Sequence, residues 1–358
     1  MSLDFLVQRD DLTQTRVEDS GDAVLDPAQV LLEIEQFALT ANNVTYGVFG
    51  DTLKYWSFFP APEGWGRIPV FGFARVIESP DEALPVGSRL FGYFPMSTHL
   101  TVLPGELTER GFVDAAEHRA EMSPVYNRYM RVDNDPRHEP GYEDRQMLMR
   151  PLFMTSWLID DWLADEDFFG AEVVVVSSAS SKTSIGTAFA LRERDRVGVV
   201  GLTSAANRGF VESLDVYDTV ASYDEIDSLP VARAVYVDVS GSGSVRGRVH
   251  RRYGAELAHS SAVGGAHWDH VGEDAGELPG PAPAIFFAPA RIELRAREWG
   301  QDGLMGRVAV AWAPFVRWSE DWLEVDRGRG PDAVEGVYRQ LLDGRASPSV
   351  GHVVSMSA

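Results

Sequence analysis

Val173-Val-Val-Val-Ser-Ser-Ala-Ser-Ser-Lys-Thr-Ser-Ile-Gly186 decides how the rest of this chain is read. Four β-branched residues in a row predict a buried strand, since such stiff side chains suit a sheet covered on both faces. The small polar residues after them predict a tight loop, and Ile185 to Leu191 the helix that follows. A strand–loop–helix of this kind offers backbone N–H groups and the positive end of a helix dipole to an anion. Lys182 stands in that loop, in a chain with two lysines against thirty arginines. The pattern points to a phosphate ligand; the alternative is a solvated lysine in an ordinary connection.

Working outward, 358 residues are enough for two domains with full-sized cores. Apolar content of 44% and charged content of 24% belong to a folded chain rather than a disordered one. A net charge of −22 argues against nucleic acid and anionic membrane surfaces as partners, and reads most simply as a solubilising surface. The absence of cysteine excludes disulfides, a cysteine nucleophile and thiolate metal ligation. The N-terminal stretch carries acids where a signal peptide carries basic residues, and no run approaches the roughly 18–20 apolar residues of a membrane span. A soluble, cytoplasmic protein is expected.

The first hundred residues predict strands at Val30 to Phe37, Ile68 to Ile77 and Arg89 to Phe94, separated by glycine and proline. Residues 105–147 are polar and broken by Pro124, Pro136 and Pro140, which predicts an insertion or crossover rather than core. From Leu152 the apolar spacing becomes helical, with Leu152, Ser156, Ile159 and Leu163 on one face. Strands and helices then alternate: strands at 172–177, 196–202, 219–221, 234–239 and 256–263, and helices at 185–193 and 207–214. Alternation of this kind implies a parallel sheet covered by helices. After Pro279 mixed strands are expected, then a helix at Ala333 to Leu342 and a last strand at His352 to Met356.

This order resembles the medium-chain dehydrogenase/reductase superfamily, and local sequences agree. Val30-Leu-Leu-Glu-Ile-Glu-Gln-Phe-Ala-Leu-Thr-Ala-Asn-Asn43 is similar to the superfamily's first long strand and active-site loop. Leu84-Pro-Val-Gly-Ser-Arg-Leu-Phe-Gly92 is similar to its Val-Gly-Asp-Arg-Val-x-Gly segment, and Gly201 to Tyr223 to the stretch between its second and third nucleotide-domain strands. Ser177 to Thr183 and Trp65-Gly-Arg-Ile-Pro69 are most similar to a little-characterised branch. The resemblance implies an α/β protein: a GroES-like β-rich catalytic domain plus a Rossmann-type, doubly wound parallel-sheet nucleotide-binding domain. The corresponding boundaries are 1–148, with the insertion at 105–147, then 149–283 for nucleotide binding, and 284–358 returning to the catalytic domain.

Two departures carry information. Zinc-dependent relatives have Gly-His-Glu where this chain has Gly72-Phe-Ala74, and they use a cysteine that is missing here. A catalytic zinc needs about three N, O or S ligands, so the zinc-independent quinone and enoyl reductases are the closer analogues. His267-Trp-Asp-His270 is weak evidence for a metal. The nucleotide loop, glycine-rich in relatives, is here longer and keeps only Gly186. Ser180, Ser181, Lys182, Thr183 and Ser184 remain able to hold a phosphate, or the loop has closed over the site. A Walker A parse fails because Val175 and Ser181 stand where glycines are required.

The stretch Val197 to Val211 lacks carboxylates and offers Thr203, Ser204, Asn207 and Arg208, which suits NADP(H) over NAD(H). The resemblance adds Tyr223 near the adenosine, Ser240 and Gly241 beside the nicotinamide ribose, and the backbone of Val263 and Gly264 at the carboxamide. Candidate catalytic residues are Asn43, Tyr46, Tyr55 and His267, the tyrosines as proton donors to an enolate. The function implied is NADPH-dependent reduction of an activated carbonyl, enone or quinone. A non-catalytic nucleotide-sensing protein and a non-redox lyase on the same scaffold are the alternatives. A small-molecule substrate is expected, and a homodimer is compatible with the resemblance.

Overall fold

The computed structural model describes residues 2–122, 124–264 and 278–358. The chain forms two units: residues 1–148 with 323–358, and residues 149–322.

The second unit is built on a parallel sheet. Val173–Val176 lies in its middle, with Val174, Val175 and Val176 fully buried, as a β-branched run between two helical layers requires. It pairs on one side with Gly198–Thr203 and on the other with Ala234–Asp238. Thr219–Ser222 lies beyond the former, and Leu257–Ala262 then Ala284–Ile285 beyond the latter. Numbered along the chain within this sheet, the spatial order is 3-2-1-4-5-6. The order reverses between Val173–Val176 and Ala234–Asp238, so the loops leaving these two strands diverge to opposite sides and open a crevice at their carboxyl ends.

Helix Lys182–Arg194 starts three residues before the sequence suggests, because Ser181 caps it: its Oγ accepts the Ser184 amide. Gly186 sits on the buried face, where a Cβ would lie 2.7 Å from Ser156 Oγ. Ser156, Ile159 and Leu163 of helix Glu143–Asp165 are fully buried on the predicted face.

Residues 284–322 do not return to the first unit as expected. They form helix Ala288–Trp318 of the second unit, divided at Gly300, whose φ is +74°. Leu304, Val308, Trp312 and Phe315 bury one stripe of it, and Phe153 stacks on Phe315 with ring centroids 4.5 Å apart. The arginine-rich first half, Arg291 to Arg297, hides this period in the sequence.

In the first unit the strands Val30–Leu39, Pro69–Glu78 and Arg89–Pro95 pair antiparallel at the centre of a nine-stranded sheet. Residues 105–147 are not a mere insertion. Pro104–Thr108, Gly111–Asp114 and Arg128–Arg131 extend that sheet at one edge, and Phe112 and Tyr129 are core residues. The strands are too short for alternation to stand out between prolines. The closing helix Pro331–Leu342 and strand Val350–Ser355 belong to the same unit. Among the described residues no helix is long and apolar enough to cross a membrane.

Candidate functional site

The loop after Val176 is held by its own serines. Ser177 Oγ donates to Asp238 Oδ1 at 3.0 Å and accepts the amides of Val239 and Ser240, each at 3.0 Å. Ser178 turns the chain with φ +51°, a left-handed conformation that favours glycine. Its amide donates to the Tyr223 hydroxyl at 3.2 Å. Ser181 and Ser184 hydroxyls bond to each other at 2.9 Å, and Ser184 Oγ donates to Ser177 O. The loop therefore keeps a glycine-type turn without glycine, using hydroxyls as internal ties.

What remains for a ligand is narrower than the sequence suggests. Ser177, Ser181 and Ser184 are committed to the loop, whereas Ser180 Oγ faces Asn207 Nδ2 at 3.2 Å and Thr203 Oγ1 at 3.5 Å. The first-turn amide of Thr183 has no intrahelical acceptor. Burial alone pulls the Lys182 ammonium down to about 8, an environment in which a neighbouring anion is strongly favoured. Ser180, Lys182, Thr183, Thr203, Ser204 and Asn207 thus gather where the first two strands of the sheet end.

Arg208 corrects one expectation. Its stretch lacks carboxylates in sequence, yet Nη1 lies 2.8 and 2.7 Å from the two oxygens of Glu225, and Nε donates to Glu212 at 2.8 Å. Glu225 is itself anchored, accepting the amide and hydroxyl of Ser222. Those hydrogen bonds and the arginine hold its carboxyl below its ordinary value. Arg208 and Glu225 form an exposed ion pair at the end of the second strand.

Asp238 is the hub of the strand ends. Oδ1 accepts Ser177, Ser240 Oγ at 2.8 Å and the Gly241 amide at 3.0 Å, while Oδ2 takes the Arg246 guanidinium at 2.8 Å. Its carbonyl accepts the Val263 and Gly264 amides. Ser240, Gly241, Val263 and Gly264 therefore do lie together at the carboxyl ends of the strands, but these donors are already engaged by Asp238. The arginine at position 246 was not legible: nothing in the local sequence links it to a strand end eight residues earlier. His267 lies outside the described residues.

In the first unit, Tyr46 and Tyr55 meet with ring centroids 4.4 Å apart. Tyr93, Tyr126, Phe58, Phe59 and Phe71 complete an aromatic cluster around them. Burial, then the neighbouring phenols, push Tyr46, Tyr55 and Tyr93 far above the usual phenol value. These hydroxyls are neutral donors, not bases. Tyr93 and Tyr126 escaped the sequence reading because they come from elements distant in sequence, the strand Arg89–Pro95 and the short helix Pro124–Asn127. Asn43 is committed to the fold: its Oδ1 accepts the Thr40 amide at 2.8 Å, and its Nδ2 donates to Pro69 O at 2.8 Å. At the third position it completes the capping box that Thr40 begins at the start of helix Ala41–Val48.

The sheet order defines a class, the doubly wound Rossmann-type fold, here in a chain of two units. Solved structures of similar fold include CurA from Vibrio vulnificus in complex with NADPH, at 12% identity over 96% of this chain and 94% of that one, with TM-score 0.62. A mutant enoyl thioester reductase from Candida tropicalis matches at 10% identity over 99% of each chain, with TM-score 0.62. The yhdH oxidoreductase from Salmonella enterica in complex with NADP matches at 14% identity over 99% of each chain, with TM-score 0.55. No curated protein sequence matches. The chain belongs to the family described as protein of unknown function (DUF2855), whose model matches residues 37–347.

Proposed function

We propose that the protein is a zinc-independent, NADPH-dependent oxidoreductase acting on an activated carbonyl, enone or quinone. One observation carries the reading: the serine loop and Lys182 lie at the point where the strand order of the parallel sheet reverses. Open α/β sheets bind their ligands at that point. The CurA and yhdH structures contain NADPH and NADP, which favours the same class of ligand here.

The residues present fit a dinucleotide. The Lys182 ammonium, the Thr183 amide and Ser180 would hold the pyrophosphate, and Ser204, Asn207 and Arg208 the ribose phosphate. When bound, the cofactor supplies a hydride. The chain supplies position, a dry pocket and a proton. Tyr46 and Tyr55, kept neutral by burial, suit proton donation to an enolate. Zinc independence is supported by Phe73, which fills the position of a zinc-ligating histidine with a buried ring 5.2 Å from Phe91. A small-molecule substrate, the cytoplasm and pairing of two copies complete the proposal.

A second reading, nucleotide sensing without turnover, is favoured by the commitment of Ser177, Ser181 and Ser184 to the loop itself. Incubation with NADPH and a panel of enones and quinones separates the two. Loss of the reduced-nicotinamide absorbance with any acceptor is the expected result. Tight NADPH binding with no loss for any acceptor supports the sensor, and absence of binding removes both.

A further inference from the structure

We propose that Tyr126 is the catalytic acid of the reductase reaction, giving an enolate its proton directly, with Tyr46 and Tyr55 acting through it. This role presupposes the reductase reading and names the last donor in it.

Tyr126 comes from the short helix Pro124–Asn127, far in sequence from Tyr46 on helix Ala41–Val48 and from Tyr55. Its ring centroid lies 4.9 Å from that of Tyr93, 5.6 Å from Phe58 and 6.4 Å from Tyr55. The next residue anchors the segment, since Asn127 Nδ2 donates to Arg119 O at 2.9 Å. Access separates the four phenols. Tyr93 is 1% exposed and Tyr46 6%, whereas Tyr55 and Tyr126 are half-buried and within reach of a ligand.

Proton counting chooses between those two. A phenol has one O–H to give and two lone pairs with which to accept. Tyr55 donates its hydroxyl hydrogen to Tyr126, and Tyr46 does the same. Asn42, one turn before Tyr46, donates to the Tyr46 oxygen and leaves that hydroxyl's hydrogen directed onward. Both lone pairs of Tyr126 are thus engaged, and its own O–H is the one left for a substrate. Tyr126 is also the phenol whose anion is best supported. Burial raises all four, but the two donated hydrogen bonds pull Tyr126 back, while Tyr46, Tyr55 and Tyr93 stand far higher.

Reduction of an enone leaves one negative charge on an enolate. The Tyr126 O–H bond breaks, its proton passes to the enolate, and the bond's electron pair stays on the phenol oxygen. The hydrogen bonds from Tyr46 and Tyr55 hold that charge. Tyr55 then passes its proton to the same oxygen and takes one from water. Each turnover consumes one hydride and one solvent proton, and every phenol ends as it began.

Steady-state kinetics with NADPH and the fastest acceptor of the panel test this in wild type, Tyr126→Phe and Tyr55→Phe, both of which keep the ring. Tyr126→Phe should lower kcat about a hundredfold with NADPH affinity unchanged, and Tyr55→Phe, which leaves the Tyr46 bond, only about tenfold. Wild-type kcat should stay flat from about pH 6 to 9, because the acid remains protonated there. In Tyr126→Phe it should fall as pH rises and recover with added imidazole buffer, whose acid form replaces the missing O–H. A packing role would not respond to buffer. Melting temperatures close to wild type certify the folds. Wild-type kcat in Tyr126→Phe, no rescue by buffer acid, or a larger loss in Tyr55→Phe overturns the proposal and leaves the reductase reading standing. No turnover by the wild type with any acceptor removes both.

Discussion

Lys182 is the residue on which the nucleotide reading turns. Its folded value of about 8 lies below the ordinary 10.5, so between those values the unfolded chain binds more protons and stability of the nucleotide-free protein rises with pH. Nucleotide binding has the opposite slope, because only the ammonium attracts phosphate. NADPH affinity is expected to fall as pH climbs through about 8, and Lys182→Met to lower affinity and flatten both profiles. Thermal melts and titrations across that range check the two slopes. Arg208 and Glu225 set a second test. Arg208→Ala should cost about tenfold in NADPH affinity and leave NADH unchanged. Glu225→Gln, which releases the guanidinium, should move NADPH affinity the other way. Equal changes for both nucleotides would remove Arg208 from the ribose-phosphate site.

At the scale of elements, the strand–loop–helix at 173–194 was legible because β-branched residues, small polar residues and a cap follow one another locally. The ties between elements were not. Ser177, just past one strand, and Asp238, at the end of its neighbour, are 61 residues apart, and no local pattern announces their bond. Asp238→Ala would leave Arg246 and the Ser177, Ser240 and Gly241 donors unpaired in a buried site, at a cost of about 3–5 kcal/mol; chemical denaturation measures it. The retained glycine of the loop also has a packing reason. Gly186→Ala would drive a methyl against Ser156 Oγ at 2.7 Å, with an expected loss of roughly 1–3 kcal/mol. A neutral result would mean that helices 143–165 and 182–194 are less closely seated than described.

For the molecule as a whole, the two-unit plan could be read because alternating strands and helices differ so visibly from a β-rich start. The segments misread were those in which charge masks the period. Arginines in 291–297 concealed a long helix, and prolines around 105–147 concealed three edge strands. The candidate site was legible as a location but not as a set of free groups: hydroxyls that look ligand-facing in sequence became internal ties, while Tyr93 and Tyr126 joined Tyr46 and Tyr55 only through the fold. The most direct measurement is a calorimetric titration of NADPH into the wild-type chain and Lys182→Met. Saturable one-to-one binding that the substitution weakens at least about tenfold is the expected result. No binding to the wild type, or binding indifferent to position 182, would contradict a phosphate site at the serine loop.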